Sequence, residues 1–207
     1  IKSLEYKDGV SKNVRAININ NNISGMNMTV LVDRGMDISR LSYKSIPLCF
    51  KSKTKETSPL FYESRDSEFL RTFHGGFLLT AGLLNTGWPC EDNGESFGQH
   101  DRISNTHAEK IYTDIDWENE TIFFHGIVRE AKWFGDYLEL SRRVGLSLDQ
   151  PIITIEDSVE NIGYRESPLM ILYHINVGFP ILNNSSRLFI GEANTIADDE
   201  NSENEFV

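Results

Sequence analysis

Apolar residues along this chain recur mostly at every second position, the period of a half-buried β-strand. Leu138, Leu140, Val144, Leu146 and Leu148 share one parity, and Arg142 stands in the gap between them. The pattern predicts one long strand, or two meeting near Gly145. Ile153, Ile155 and Val159 repeat the parity around Asp157. Ile17 and Ile19 alternate with Asn18 and Asn20, and residues 28–32 form a short strand-like run ending at Asp33-Arg34-Gly35. Ile38, Leu41 and Tyr43 predict a strand that stops near Ser45-Ile46-Pro47, and 122–128 another. Residues 169–177 are apolar on both parities, which predicts a strand covered on both faces. Met170, Leu172, His174 and Asn176 share one side of it. Helical spacing is confined to 64–73, where a short turn is expected. Gly75, Gly76, Gly82, Gly87, Gly94 and Gly98 punctuate a loop-rich middle section. The acidic, polar stretch 198–205 reads as a loop or frayed tail. Many short strands with turn signals and almost no helix predict an all-β sandwich or barrel.

Composition narrows the class. The chain has 207 residues, 39% hydrophobic and 25% charged, enough for one sizeable core, so 1–207 is read as a single domain. No apolar run approaches the roughly eighteen residues of a membrane helix. The start has no basic region followed by an apolar one, so no signal peptide is expected. The net charge of −11 and the absence of a Lys/Arg stripe exclude sequence-independent nucleic-acid binding. Cys49 and Cys90 are isolated, without metal-ligand spacing, and a reduced, cytoplasmic setting is the expectation.

The candidate chemistry centres on histidine. His74, His100, His107, His125 and His174 form neither a His-x-His nor a His-x-x-x-His spacing, so no metal site is expected. Neither a Gly-x-Ser-x-Gly elbow nor a phosphate-binding Gly-Lys-Ser/Thr loop is present, which argues against nucleotide chemistry. His174 lies in an otherwise apolar strand. On spacing alone a hydrogen-bonded core histidine is the favoured reading; the other is a general acid working near neutral pH. His100 opens a polar cluster, Gln99-His100-Asp101-Arg102-Ile103-Ser104-Asn105, which is either a solvated turn or a binding loop whose Arg102 fork reaches an oxygen ligand. His74 precedes Gly75-Gly76, where glycine permits close approach or positive φ. The charges of Asp33-Arg34-Gly35-Met36-Asp37-Ile38 are read as a structural pair at a tight turn. Trp88-Pro89 and Trp133-Phe134 are either packing groups or platforms for sugar rings.

Taken together, these segments resemble the aldose 1-epimerase (galactose mutarotase-like) superfamily, in particular a branch of uncharacterised aldose 1-epimerase family proteins. The resemblance rests on 33–38, on Gly75-Gly76-Phe77-Leu78-Leu79-Thr80 with Gly82-Leu83 and Asn85, on His100-Asp101-Arg102-Ile103-Ser104, and on 172–180. It spans about residues 30 to 190.

The resemblance implies a large antiparallel β-sandwich, a galactose mutarotase-like supersandwich, that binds a sugar and interconverts its anomers by acid/base ring opening. It implies His174 as the acid for the ring oxygen and His100 as the second histidine. Arg102, Asn176, His74 and Asn85 are implied as substrate-binding residues. No cofactor, metal, nucleic acid or membrane is implied. The partner is a small aldose, its identity and phosphorylation left open, as is the oligomeric state. Two departures stand out. The family's His-Gly is His100-Asp101 here, and its general base is a glutamate far downstream. Glu192 does not match that glutamate motif, so the base and the C-terminal part of the sandwich are expected beyond residue 207. A carbohydrate-binding protein without turnover, and another sugar isomerase on the same fold, stand as the alternatives.

Overall fold

In a computed structural model of the protein, residues 1–189 are described; Glu192 and the acidic stretch 198–205 lie outside them. The alternation in the sequence becomes two antiparallel sheets stacked face to face. The first runs in the order β1 (Lys2–Glu5), β2 (Arg15–Asn21), β3 (Met26–Leu31), β4 (Asp37–Tyr43), β6 (Leu78–Leu83) and β13 (Met170–Ile175), with β5 (Ile46–Pro47) paired to β4. The second runs β12 (Ile153–Asn161), β11 (Tyr137–Ser147), β10 (Thr121–Ala131), β9 (Ala108–Asp116). A short hairpin, β7 (Cys90–Asp92) and β8 (Glu95–Phe97), stands apart from both.

The core forms where the inward parities meet. Val30, Ile38 and Leu78 of the first sheet and Phe124, Val128, Leu140 and Val144 of the second are fully buried together. Glycine matters at two close approaches. A Cβ on Gly126 would sit 2.0 Å from the Met36 sulfur, and one on Gly35 would sit 2.8 Å from the Ile103 carbonyl, at a φ of +58°. Residues 64–73 contain one 3-10 turn, Glu68–Arg71. The alternation around Gly145 is one continuous strand. Sequence patterning missed β1, β5, β6, β9 and the β7–β8 hairpin. β6 is buried at all six positions, so it has no polar alternation to read.

Arg142 occupies an apolar slot in β11 and is completely buried. Its Nη1 donates to the Gly35 carbonyl at 3.0 Å, to Thr80 Oγ1 at 2.8 Å and to Asp37 Oδ1 at 3.2 Å. Its Nε and Nη2 form a fork onto Asp157 at 2.9 and 2.7 Å. The Tyr173 hydroxyl of β13 donates to the same Asp157 at 2.8 Å. One side chain thus ties β11 and β12 of one sheet to β4, β6 and β13 of the other. Burial pushes Asp37 up to about 6, against the pull of Arg142 and Thr80.

Two expectations are corrected. The charges of 33–37 do not pair with one another. Asp33 takes Arg15 and His107, Asp37 takes Arg142, and Arg34 donates to the carbonyls of Ser104, Thr57 and Thr72. A buried guanidinium has five donors to place, and three converging loops offer it carbonyls. The doubly apolar strand at 169–177 is not covered on both faces among the described residues. β13 pairs with β6 alone, and Leu172, Tyr173 and Ile175 are 41%, 42% and 44% exposed. Its place at the sheet's edge explains this: it has one neighbour, and no described layer lies over it.

Arg142→Met leaves Asp37 and Asp157 buried without their counter-charge. It should lower unfolding free energy in urea by about 3–5 kcal/mol, the cost of breaking one side of a buried ion pair. A change under about 1 kcal/mol would refute the linking role.

Candidate functional site

β13 carries His174 opposite Leu79 of β6. The loop after β8 carries His100. The two rings meet edge to face, with centroids 5.8 Å apart and planes at 83°. Phe69 packs its ring against His100 at 5.3 Å, and Phe73 packs against His174 at 5.7 Å. Phe69 lies in the Glu68–Arg71 turn and Phe73 two residues after it, so one short segment supplies aromatic rings to both histidines. Both histidines are part exposed. Among the described residues, neither nitrogen of His174 has a hydrogen-bond partner, and no carboxylate lies within ion-pair distance of either ring.

Three successive amides at the end of β6 hold the His100 loop and Glu130 beside it. Gly82 N–H donates to the His100 carbonyl at 3.0 Å, Leu83 N–H to Glu130 Oε2 at 3.1 Å, and Leu84 N–H to Asp101 Oδ2 at 3.3 Å. His100 and Asp101 take φ of 58° and 52°, left-handed values uncommon outside glycine. The Gly87 loop closes on the other side. His100 N–H donates to the Gly87 carbonyl at 3.1 Å, and Gly87 N–H donates to His100 Nδ1 at 3.1 Å. Burial, and then His174, lower the His100 imidazole below its ordinary value.

Beside this loop lies a buried carboxyl pair, Asp101 and Glu130. Arg102 Nε sits 3.5 Å from Asp101 and 3.4 Å from Glu130. Burial, with the Asp101 charge adding to it, pushes Glu130 up to about 8, so Glu130 holds a proton at neutral pH. Burial also raises Tyr62, whose hydroxyl is enclosed without a partner.

The structure therefore brings His100 and His174 together and treats the other expected residues differently. Arg102 lines a separate cavity of about 50 Å³ with Glu130, Lys132 and Asp136, which contains neither histidine. Asn85 is buried, its amide donating to the carbonyls of Trp88 and Gly98. Asn176 is buried, and its amide donates to the carbonyls of His174 and Gly75. His74 is buried with both ring nitrogens unpartnered; burial, then Arg34 and Lys51, hold it well below the usual histidine range. These three groups brace the backbone or lie within the protein rather than line an open surface. Trp88, Trp133 and Phe134 are exposed. A depression of about 420 Å³ beside His125 and Tyr112, and one of about 320 Å³ under Trp133 and Phe134, lie away from the histidine pair. Among the described residues no three His, Cys, Asp or Glu gather as a metal site, and no helix is long and apolar enough to cross a membrane.

Sequence reasoning missed Phe69, Phe73, Gly87 and Glu130. Phe69 and Phe73 lay four apart in the one stretch with helical spacing. Glu130 shares the inward parity of Phe124 and Val128, the mark of a buried carboxyl on a strand. Gly87 carried no signal beyond being a glycine.

The chain matches, over residues 11–206, the family described as Domain of unknown function (DUF4432), and it belongs to that family. No curated protein matches it. Two solved structures share the fold. One is a "putative aldose 1-epimerase" from Klebsiella pneumoniae subsp. pneumoniae, 20% identical, TM-score 0.80, over 87% of this chain and 48% of that one. The other is the Slr1438 protein from Synechocystis sp. PCC 6803, 13% identical, TM-score 0.60, over 84% of this chain and 58% of that one. The chain thus spans about half the length of these neighbours. The sandwich is that of the aldose 1-epimerase-like fold.

Glu130 makes a measurable pH signature. Its folded value, about 8, lies above the ordinary 4.5, so the stability it contributes is full below about pH 4.5 and is lost as pH rises through 8. His74 acts oppositely, since its folded value lies below 6.5 and its contribution is lost as pH falls through that range. The difference between wild type and Glu130→Gln isolates the carboxyl. Wild type should lose stability relative to the variant between pH 4.5 and 8, on the order of a few kcal/mol in urea melts. Parallel pH profiles for the two proteins would show that Glu130 holds no extra proton.

Proposed function

We propose that this DUF4432 protein binds an aldose beside the His100–His174 pair and interconverts its anomers by opening and reclosing the sugar ring. The observation that carries the reading is the pair itself: two histidines distant in sequence meet edge to face, each backed by a phenylalanine, on a fold shared with a protein described as an aldose 1-epimerase. Histidine titrates near neutral pH and can lend and recover a proton within one cycle.

In the ring-opening direction, the anomeric hydroxyl loses its proton to a base and its oxygen becomes the carbonyl. The bond from the anomeric carbon to the ring oxygen breaks, its electron pair stays on that oxygen, and His174 supplies the proton. Rotation about the bond next to the carbonyl and reversal of these transfers return the other anomer. His174 suits the donor role because its ring nitrogens have no partner among the described residues, and His100 suits a hydrogen-bonding role beside the same oxygen. Phe73, partly exposed beside His174, gives the C–H face of a pyranose a surface to pack on, and the buried Phe69 backs His100 from within.

A second reading, sugar binding without turnover, draws on one observation: no carboxylate among the described residues lies within ion-pair distance of either ring to accept the anomeric proton. The two separate in one experiment. A freshly dissolved single anomer is followed by polarimetry with the full-length protein, across a panel of aldoses and their phosphates. The proposal predicts accelerated equilibration of at least one sugar, lowered about 10²–10⁴-fold in His174→Asn, the usual worth of one acid–base group, with an unchanged thermal melt. Saturable binding with no acceleration would favour the second reading. Acceleration that survives His174→Asn would remove the histidine from the chemistry.

A further inference from the structure

Resting on this reading of the site, we infer that the Gly87 amide fixes His100 as a neutral imidazole with its ring proton on Nε2, so that His100 serves as a hydrogen-bond donor and leaves proton transfer to His174. The geometry is a two-bond clasp. The His100 main-chain N–H is bound to the Gly87 carbonyl, and the Gly87 N–H is bound to the His100 ring at Nδ1, each at 3.1 Å. An amide N–H needs a lone pair opposite it, so Nδ1 is the bare nitrogen and the proton resides on Nε2. A proton added to Nδ1 would face the Gly87 N–H, and the contact would turn from attractive to repulsive.

The surroundings point the same way. The ring is walled by Phe69 from the 3-10 turn and by His174 from β13, and the Gly87 loop supplies a donor. The one carboxylate of the 3-10 turn, Glu68, pairs with Arg71 and not with the ring. Asp101, next in sequence, turns its carboxylate to the Leu84 amide and Arg102. The His100 carbonyl is also pinned, by Gly82 N–H at 3.0 Å, so the ring cannot leave the clasp by a small backbone shift. His174 has no such constraint. The pair is chemically asymmetric although its members are of one residue type. Gly87 is the positioning residue, and its φ of +85° explains why a glycine stands there.

The test is spectroscopic and does not need turnover. Long-range proton–nitrogen correlation spectra are recorded on the full-length protein with nitrogen-15-labelled histidine, and His100→Asn and His174→Asn supply the assignments. The inference predicts a neutral His100 in the Nε2–H form at neutral pH. An Nδ1–H form, or a doubly protonated ring there, overturns it whatever the protein's activity. Where anomeric equilibration is seen, two variants add a second readout. Gln places an amide N–H near the Nε2 position, while Asn offers only the Nδ1 side. His100→Gln should stay within about tenfold of wild type and His100→Asn should fall about 10²-fold, the cost of removing one preorganised donor. The reverse order would overturn the donor role. A His100 locked as Nε2–H in a protein that accelerates no sugar supports this inference while the reading of function fails.

Discussion

One buried guanidinium holds this sandwich in register. Arg142 has a slot in the apolar parity of β11, and burying it is worth while only because each of its nitrogens meets an acceptor. Its acceptors come from both sheets: Asp157 from its own, and Asp37, Thr80 and the Gly35 carbonyl from the other. Hydrophobic contact alone would let two sheets slide, because it is non-directional. The fork onto Asp157 and the contacts to Asp37 and Thr80 are directional. They set the position of one layer against the other. Asp157 then passes the constraint to Tyr173, the residue next to His174. The histidine strand is thereby fixed from within the core, although its own side chains are half exposed.

The His100 loop is fixed from the other direction. The Gly82 and Leu84 amides hold it through the His100 carbonyl and the Asp101 carboxyl, Leu83 N–H holds Glu130 beside it, and the Gly87 loop closes over it. The cost is visible in two residues with left-handed φ and in two carboxyls buried side by side. Such local expense is common where side chains must stand in a set geometry. Here it sets His100 against His174 with Nδ1 engaged by Gly87, while among the described residues His100 Nε2 and the His174 ring have no partner. The two rings therefore differ in what they can do to a bound oxygen.

Much of this was legible in the sequence. The period-two pattern marked β10, β11 and β12 of the second sheet though not β9, and Arg142 was conspicuous as a charge in an apolar parity. His174 and His100 stood out against their neighbours, and the resemblance paired them. Other features resisted reading for physical reasons. β6 is buried on both faces and short, so it carried no alternation. The strand at 169–177 has the same two-sided apolar pattern and yet lies at an edge, because composition reports what a strand can bury and not what its neighbours supply. Asn85, Asn176 and His74 look like ligand-contacting residues in one dimension. In three dimensions the two amides are spent on backbone carbonyls and the imidazole lies within the protein. The raised Glu130 carboxyl depends on burial beside Asp101, 29 residues away in sequence, and only the parity of Glu130 hinted at it.

The central claim is that a sugar binds at the histidine pair and nowhere else on the sandwich. Titrating the full-length protein with aldoses while observing the imidazole resonances tests it most directly. The account predicts saturable shifts of His100 and His174 at a common midpoint, with His74 and His125 unmoved. Saturable shifts at His125 with the pair unperturbed, or no shift at either histidine with any aldose, would contradict it.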